Sequence, residues 1–429
     1  MRILAAIAAT LFAMTAMAEV QIFDPANEFP VTTPTFLGHT FTSTDTDYRQ
    51  IQQAVWKACE AQQGEVHISK KFGAAWWLPA APILVEGAGG HAVTGIKIKG
   101  SGNFSVNYQG TGPAFRFTGV QESSIEGLGV VLFKSDSVGF QFLDGCGEIS
   151  VRDCRVRTQD VGPTLMRNVG FQVGPSASSA DIDFEKCVVR YEPPVSMQGM
   201  TDASLNTIWD RGHIGFQFLG AATTSCSVRD CRTYGLKIGF TNFDVNNIAP
   251  NSTPGHVSDF YGCDGSYTGC VFYLMPESTP FIQGGSSDNC GALLVFGYGN
   301  AENGYDGKLS LDNVKFEYAR NSLNSQMKVG GTSIIDNGRI LGYNAVGSMS
   351  IRNCSFRFQS YTATGSGQMF SIKGQGGIDA RRNITIENNR MVGYIDNWVT
   401  SFCWNNYISG DHSYWKIIDL SNGMVYISN

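Results

Sequence analysis

The feature that most constrains this chain is a pentad that recurs without a fixed period. SVRDC stands at Ser150 to Cys154 and again at Ser227 to Cys231. Related pentads are DFEKC from Asp183, DFYGC from Asp259, SSDNC from Ser286 and SIRNC from Ser350. Releasing the last position adds KIKGS from Lys97, SIEGL from Ser124, SLDNV from Ser310 and TIENN from Thr385. The ten starts run from 97 to 385, a mean step of 288/9, or 32 residues, with single steps between 24 and 44. A constant pentad at variable spacing predicts one structural rung per unit, joined by loops of free length.

Each pentad position has a physical reading. The second is apolar in nine of ten units, with Ser287 the exception, and period-2 alternation puts it inside. The fourth is Gly, Asn or Asp in nine of ten, with Lys186 the exception. Those residues tolerate a left-handed backbone, so a tight bend is expected there. The fifth is Cys at 154, 187, 231, 263, 290 and 354, a small hydrophobe suited to an inward bend. The third points outward and often alternates in sign, as in Lys99, Glu126, Arg152, Glu185 and Arg229. Neighbouring rungs would set these charges side by side, worth a few tenths of a kcal/mol per exposed pair.

A second ladder supports the first. FRF at Phe115 to Phe117, FQF at Phe140 to Phe142, FQV at Phe171 to Val173 and FQF at Phe216 to Phe218 each precede a pentad. Short strands, Gly/Asn bends and the lack of helices between them predict an all-β chain. The fold class expected is a single-stranded right-handed parallel β-helix of about ten or more rungs. Composition agrees: 50 of 429 residues are Gly and only 16% are charged, against a usual ~25%. The net charge of −6, with no basic run, argues against nucleic acid as a partner.

The first 18 residues read as a secretory signal peptide, with Arg2 as the charged start, Ile3 to Met14 apolar, and Ala16-Met17-Ala18 before Glu19. A secreted or periplasmic protein with no membrane span is the expectation. The eleven cysteines are expected to be mostly free and buried, with a bridge or two open. An amphipathic helix is predicted over Thr46 to Ala61, with Ile51, Val55, Ala58 and Cys59 on one face and Gly64 past its end. It would cover the open end of the solenoid. The organisation expected is therefore a signal peptide over 1–18, a lead-in with capping helix over 19–95, a β-helix over 96–395 and a C-terminal cap over 396–429.

The block DYRQIQQAVWKACEAQQGEVHIS, followed by WWLPAAPILVE and GIKIKGSG, resembles the opening of pectate-lyase-like β-helix proteins. With the rungs, the resemblance covers about residues 45 to 395. That family includes lyases, glycosidases, epimerases and phage tailspikes, so it implies fold more than chemistry. It implies a glycan lying along the FQF-type face, whose outward residues are Arg116, Gln141, Gln172, Gln217 and Lys237. Amides and cations in line suit sugar hydroxyls and carboxylates. A glutamine ladder that only ties rungs together fits the same residues.

No carboxylate pair sits on that strand set, so acids would have to come from loops. The long loop Val188 to Thr224 carries Glu192 and then Trp209-Asp210-Arg211-Gly212-His213. Trp209 could stack on a sugar, Asp210 or Glu192 act as acid or base, and Arg211 or His213 neutralise a uronate or move a proton. A surface salt bridge beside a buried Trp is the plainer reading. Asp244, Asp264 and Glu277 on later rungs, and Asp136 and Asp160 on earlier loops, are weaker candidates. No cofactor is expected, and calcium on loop carboxylates stays open. The function expected is an exported polysaccharide depolymerase, elimination slightly ahead of hydrolysis. The alternative is a glycan-binding adhesin or tailspike-like protein, monomeric or a homotrimer meeting through Val271 to Phe296.

Overall fold

The computed structural model describes residues 20–409 apart from 70–73, 160–166, 176–178, 194–195, 221–224, 246–254, 275–280, 297–306, 320–326, 330–331, 336–340, 344–346, 359–369, 373–383 and 393–406. The segment read as a signal peptide and nearly all of the C-terminal cap therefore lie outside the described residues. Three long parallel sheets wind around one axis. Each turn runs from a pentad strand in the first sheet, through a bend, to a strand in the second sheet. It then passes a corner to an FQF-type strand in the third sheet and returns. The chain is thus an all-β, right-handed parallel β-helix. Its first complete turn uses Glu65–Ile68, Trp76–Leu78 and Ile83–Val85, inside the stretch read as a lead-in.

The pentads fall in register, with one correction. Ser286–Asp288 is not a first-sheet strand; it pairs with Asp264–Ser266 and Lys315–Ala319 in the second sheet. The pentad of that turn is Phe281-Ile282-Gln283-Gly284-Gly285, aligned on Asp259–Tyr261 and Ser310–Asp312. This removes the Ser287 exception, because Ile282 now holds the inward slot and is buried like its neighbours Phe260 and Leu311. The fourth position is a left-handed bend from Gly127 to Asn388, and Lys186 adopts it too, at φ 55°.

Stacking at one rung per turn brings like side chains face to face. The rings of Phe115, Phe140, Phe171, Phe216, Phe240 and Phe272 form one column with centroids 4.9–5.5 Å apart, and Phe184 and Phe260 meet it edge-on. The pentad thiols of Cys187, Cys231 and Cys263 each donate to the carbonyl of the inward residue one rung back, at 3.3–3.6 Å. None of the ten described cysteines forms a disulfide, and all are buried. Burial pushes up the thiol of Cys354, to about 12, and those of Cys187 and Cys263 well above the ordinary thiol value.

Helix α1 (Thr46–Ala61) closes the open end as predicted, with Asp45 accepting from Tyr48 N at 2.9 Å at its start. Its polar residues finish the exposed strand edges. Gln52 exchanges two hydrogen bonds with the backbone of Leu84, at 2.7 and 2.8 Å, and Asp47 accepts from Trp77 N at 3.0 Å. The outer side of α1 is covered in turn, since Gln50 and Gln53 donate to the carbonyls of Glu28 and Phe29. Burial all round α1 follows from this second layer, which a one-faced amphipathic pattern does not reveal.

Two outcomes follow. Replacing Phe171 by Ala should cost about 3–5 kcal/mol in urea unfolding, whereas replacing exposed Arg152, paired to Glu185 at 3.2 Å, should cost less than about 1 kcal/mol. Iodoacetamide should leave Cys154, Cys187, Cys231, Cys263 and Cys354 unlabelled in the native protein and label them all after unfolding.

Candidate active site

The face expected to hold the glycan is largely spoken for. Gln141 donates to Gln172 at 2.6 Å, Gln172 to Gln217 at 2.8 Å, and Gln217 to the carbonyl of Phe243 at 3.4 Å. The ladder therefore ties rungs together. From Gln217 onward it is also covered: Phe243 and Val245 join Ile214, Ile238 and Tyr273 in an apolar cluster separate from the main core, and Gln217 is buried. Arg116, at the uncovered end, lies 3.9 Å from Glu86. The segment Val271 to Phe296, read as an outer apolar face, mostly supplies buried residues such as Phe272, Leu274, Leu293 and Leu294.

The loop residues are dispersed as well. Trp209 ends helix α2 (Asp202–Trp209) as a buried core residue whose Nε1 donates to Tyr267 O at 2.7 Å, so its ring is closed to a sugar. His213 is buried against Tyr191, ring centroids 4.9 Å apart, and its Nδ1 accepts from Asn168 N at 3.3 Å. Asp210 is exposed at the C-terminal end of α2, and Arg211 is half-buried. Lys237 is half-buried; burial lowers its ammonium, Asp210 works against that shift, and Arg167 adds to it. Of the expected catalytic set, Glu192 lines an open cleft.

That cleft, of about 550 Å³, lies on the second sheet. Its floor is made by outward residues of four successive strands: Arg190 and Glu192, then Arg232 and Tyr234, then Asp264 and Ser266, then Ser286. Pro193, Ser196 and Met197 of the long loop form a wall, so the loop shapes the site through residues other than those expected. Glu192 holds both Arg157, at 3.0 Å, and Arg190. Asp264 accepts from Ser286 N and lies 3.5 Å from Arg232 Nε. Asp288, on the next strand, accepts from the Ser266 hydroxyl and, at 2.7 Å, from Asn289 Nδ2.

Asp264 and Asp288 form a diagonal pair: Asp264 is opposite Ser286, and Asp288 is opposite Ser266. Diagonal neighbours on adjacent strands stand about 7–8 Å apart. Desolvation raises the Asp264 carboxyl above the usual carboxylate range; Ser286 N and Arg232 oppose the shift, and Asp230 and Asp288 add to it. Burial also raises Tyr234, which meets Tyr267 edge-on at 5.5 Å. Among the described residues no group of three His, Cys, Asp or Glu is placed to hold a metal ion.

The signal for this face was in the chain. Several pentads are followed at once by a short strand with polar residues at its two outward positions: RVR at 155–157, RTY at 232–234, DGS at 264–266, SSD at 286–288 and KFE at 315–317. Reading SSDNC as a pentad hid Asp288, the partner that Asp264 needed. A second cleft of about 720 Å³ beside Trp56 is lined by glycines with Glu86, His39, His91 and Asp144. There Glu86 leans toward Arg116, and His39 sits 3.2 Å from Glu60.

The sign of the Asp264 shift makes a stability test. A carboxyl raised in the folded state contributes stability below its unfolded pKa, about 3.9, and that contribution is lost as pH rises through the folded value. Asp264→Asn should therefore match the wild type near pH 3 and exceed it in urea midpoint at pH 7.

No protein-family model matches the chain, and no curated protein matches it. Among solved structures, the chain is similar to the catalytic unit of a GH87 α-1,3-glucanase from Streptomyces thermodiastaticus, at 12% identity and a TM-score of 0.41, covering 94% of this chain and 71% of that one. It is similar to the A-module of the mannuronan C-5 epimerase AlgE6 of Azotobacter vinelandii, at 11% identity and 0.38, covering 86% and 96%. A family 28 exopolygalacturonase of Yersinia enterocolitica follows at 11% and 0.29, covering 95% and 77%. No helix among the described residues is long and apolar enough to cross a membrane.

Proposed function

We propose that the chain is a polysaccharide depolymerase that hydrolyses glycosidic bonds with inversion, in the cleft on the second sheet. The observation that supports this reading most is the diagonal pair of Asp264, which lines the cleft beside Arg232 and Tyr234, and Asp288, on the next strand at the cleft's edge. Inverting glycosidases set their two carboxyl groups about 6.5–9.5 Å apart, leaving room for the attacking water. The backbone spacing of a diagonal pair, about 7–8 Å, is of the same order.

The roles divide by environment. Asp264, whose carboxyl burial raises above its ordinary value, gives its proton to the glycosidic oxygen as the bond to the anomeric carbon breaks. Asp288, hydrogen-bonded on both oxygens, takes a proton from the water that attacks that carbon from the opposite side. Arg190 and Arg232 hold an acidic substituent of the sugar. The raised Tyr234 hydroxyl disfavours a phenolate base, which weighs against elimination, the outcome favoured from sequence.

The test is mass spectrometry and NMR of products released from a panel of anionic and neutral polysaccharides. Products carrying one added water, first seen as the inverted anomer, are expected. Asp264→Asn and Asp288→Asn should each lower kcat by about 10²–10⁴-fold. Wild-type kcat should fall as pH rises through the elevated Asp264 value, because the acid must carry its proton. Unsaturated products would overturn hydrolysis, and release unaffected by either variant would overturn the site.

A further inference from the structure

The cleft is not isolated on its sheet. Following the register from Asp288 toward the N-terminal end, the same outward column passes through Ser266, Tyr234, Arg190, Arg157, Val131 and Asn107 to Trp77. Trp77 is five strands from Tyr234, which at about 4.8 Å per strand is about 24 Å. Its side chain is 45% exposed, the only exposed large apolar side chain on this sheet among the described residues. Its position is fixed from behind: Asp47 of α1 accepts from its backbone N, and Phe133 packs on the ring at 5.7 Å with a 30° tilt. An exposed indole held in place by a second ring is a flat apolar platform, the shape that takes the face of a pyranose ring.

The ground between the platform and the cleft is cationic, with Val131 of the same column buried beneath its neighbours. Phe104 lies under two guanidinium groups, Arg157 at 4.6 Å and Arg190 at 5.3 Å from the ring centroid. Glu192 pins the same two arginines. Arg155 and Arg232 are exposed in the neighbouring column. Parallel rungs place these groups in a straight line along the helix axis, so a ligand that touches all of them is itself long and extended.

We infer that Trp77 is a distal subsite and that the substrate is a linear anionic polysaccharide lying along the second sheet, with its chain parallel to the helix axis from Trp77 to Asp288. The inference rests on the cleft proposed above as the reacting end. It adds the direction of the chain, its charge and a length requirement. Cleavage then occurs within chains long enough to reach the platform, and short oligosaccharides that fill only the cleft gain nothing from Trp77.

Affinity gel electrophoresis through carboxylated, sulfated and neutral linear polysaccharides reads binding apart from turnover. The wild type and Asp264→Asn should be retarded equally by an anionic polymer. Trp77→Ala should lose about tenfold in affinity for polymer, the scale of one ring contact, and leave affinity for short oligosaccharides unchanged. Trp77→Tyr should restore retardation and show that the alanine variant acts through the ring and not through misfolding. Retardation of Trp77→Ala equal to wild type, or retardation by neutral polymers alone, would overturn the inference. Retardation with the Trp77 dependence but no released product would sink the hydrolase reading and leave the track standing. No retardation by any polymer would remove both.

Discussion

Everything in this molecule depends on parallel strands pairing in register at one rung per turn. That pairing fixes a spacing of about 4.8 Å, close to the centre-to-centre distance of two stacked side chains, so identical residues become each other's neighbours. The phenylalanine column and the chain of thiol-to-carbonyl contacts are both consequences of it. Stacks of like residues need the same backbone conformation at every turn. The left-handed bend at the fourth pentad position supplies that, strongly enough that Lys186 adopts it without being a residue that favours it.

The same regularity explains where a site can form. Outward positions also line up in columns, and a column is either closed on itself or left open. On the third sheet the amides of Gln141, Gln172 and Gln217 satisfy one another, and a covering segment with Phe243 removes the rest from water. On the second sheet the outward residues differ from rung to rung, so they cannot pair uniformly, and arginines, carboxylates and tyrosines are left facing a cleft. Ladder breaking therefore marks chemistry here better than ladder making. Burial is uneven across that cleft, and desolvation raises the Asp264 carboxyl above its ordinary value, which separates it from ordinary surface acids.

Much of this was legible beforehand, and the failures have a common cause. The helix Thr46 to Ala61, the inward pentad residues and the bend follow from local periodicity and local backbone preference, which act over a few residues. The choice of face depended on knowing what covers it. Trp209 and His213 look functional in a loop, yet the loop folds inward and places them in the core. Asp264 was visible as a minor candidate, and Asp288 was lost to a register error of a single unit. A cysteine in the fifth place made SSDNC look like a rung, although Cys290 packs against Gly265 at the far end of a second-sheet strand.

By itself the sequence determined the repeat, the β-helix, the cap at its N-terminal end and the burial of the pentad cysteines. These are set by alternation, by bends that need left-handed residues, and by apolar faces that must be buried. Only the tertiary structure decided which outward columns pair with themselves and which are left lining a cleft. Strand register, and the route of each loop over the surface, depend on contacts between residues a whole turn apart, and no local pattern encodes them.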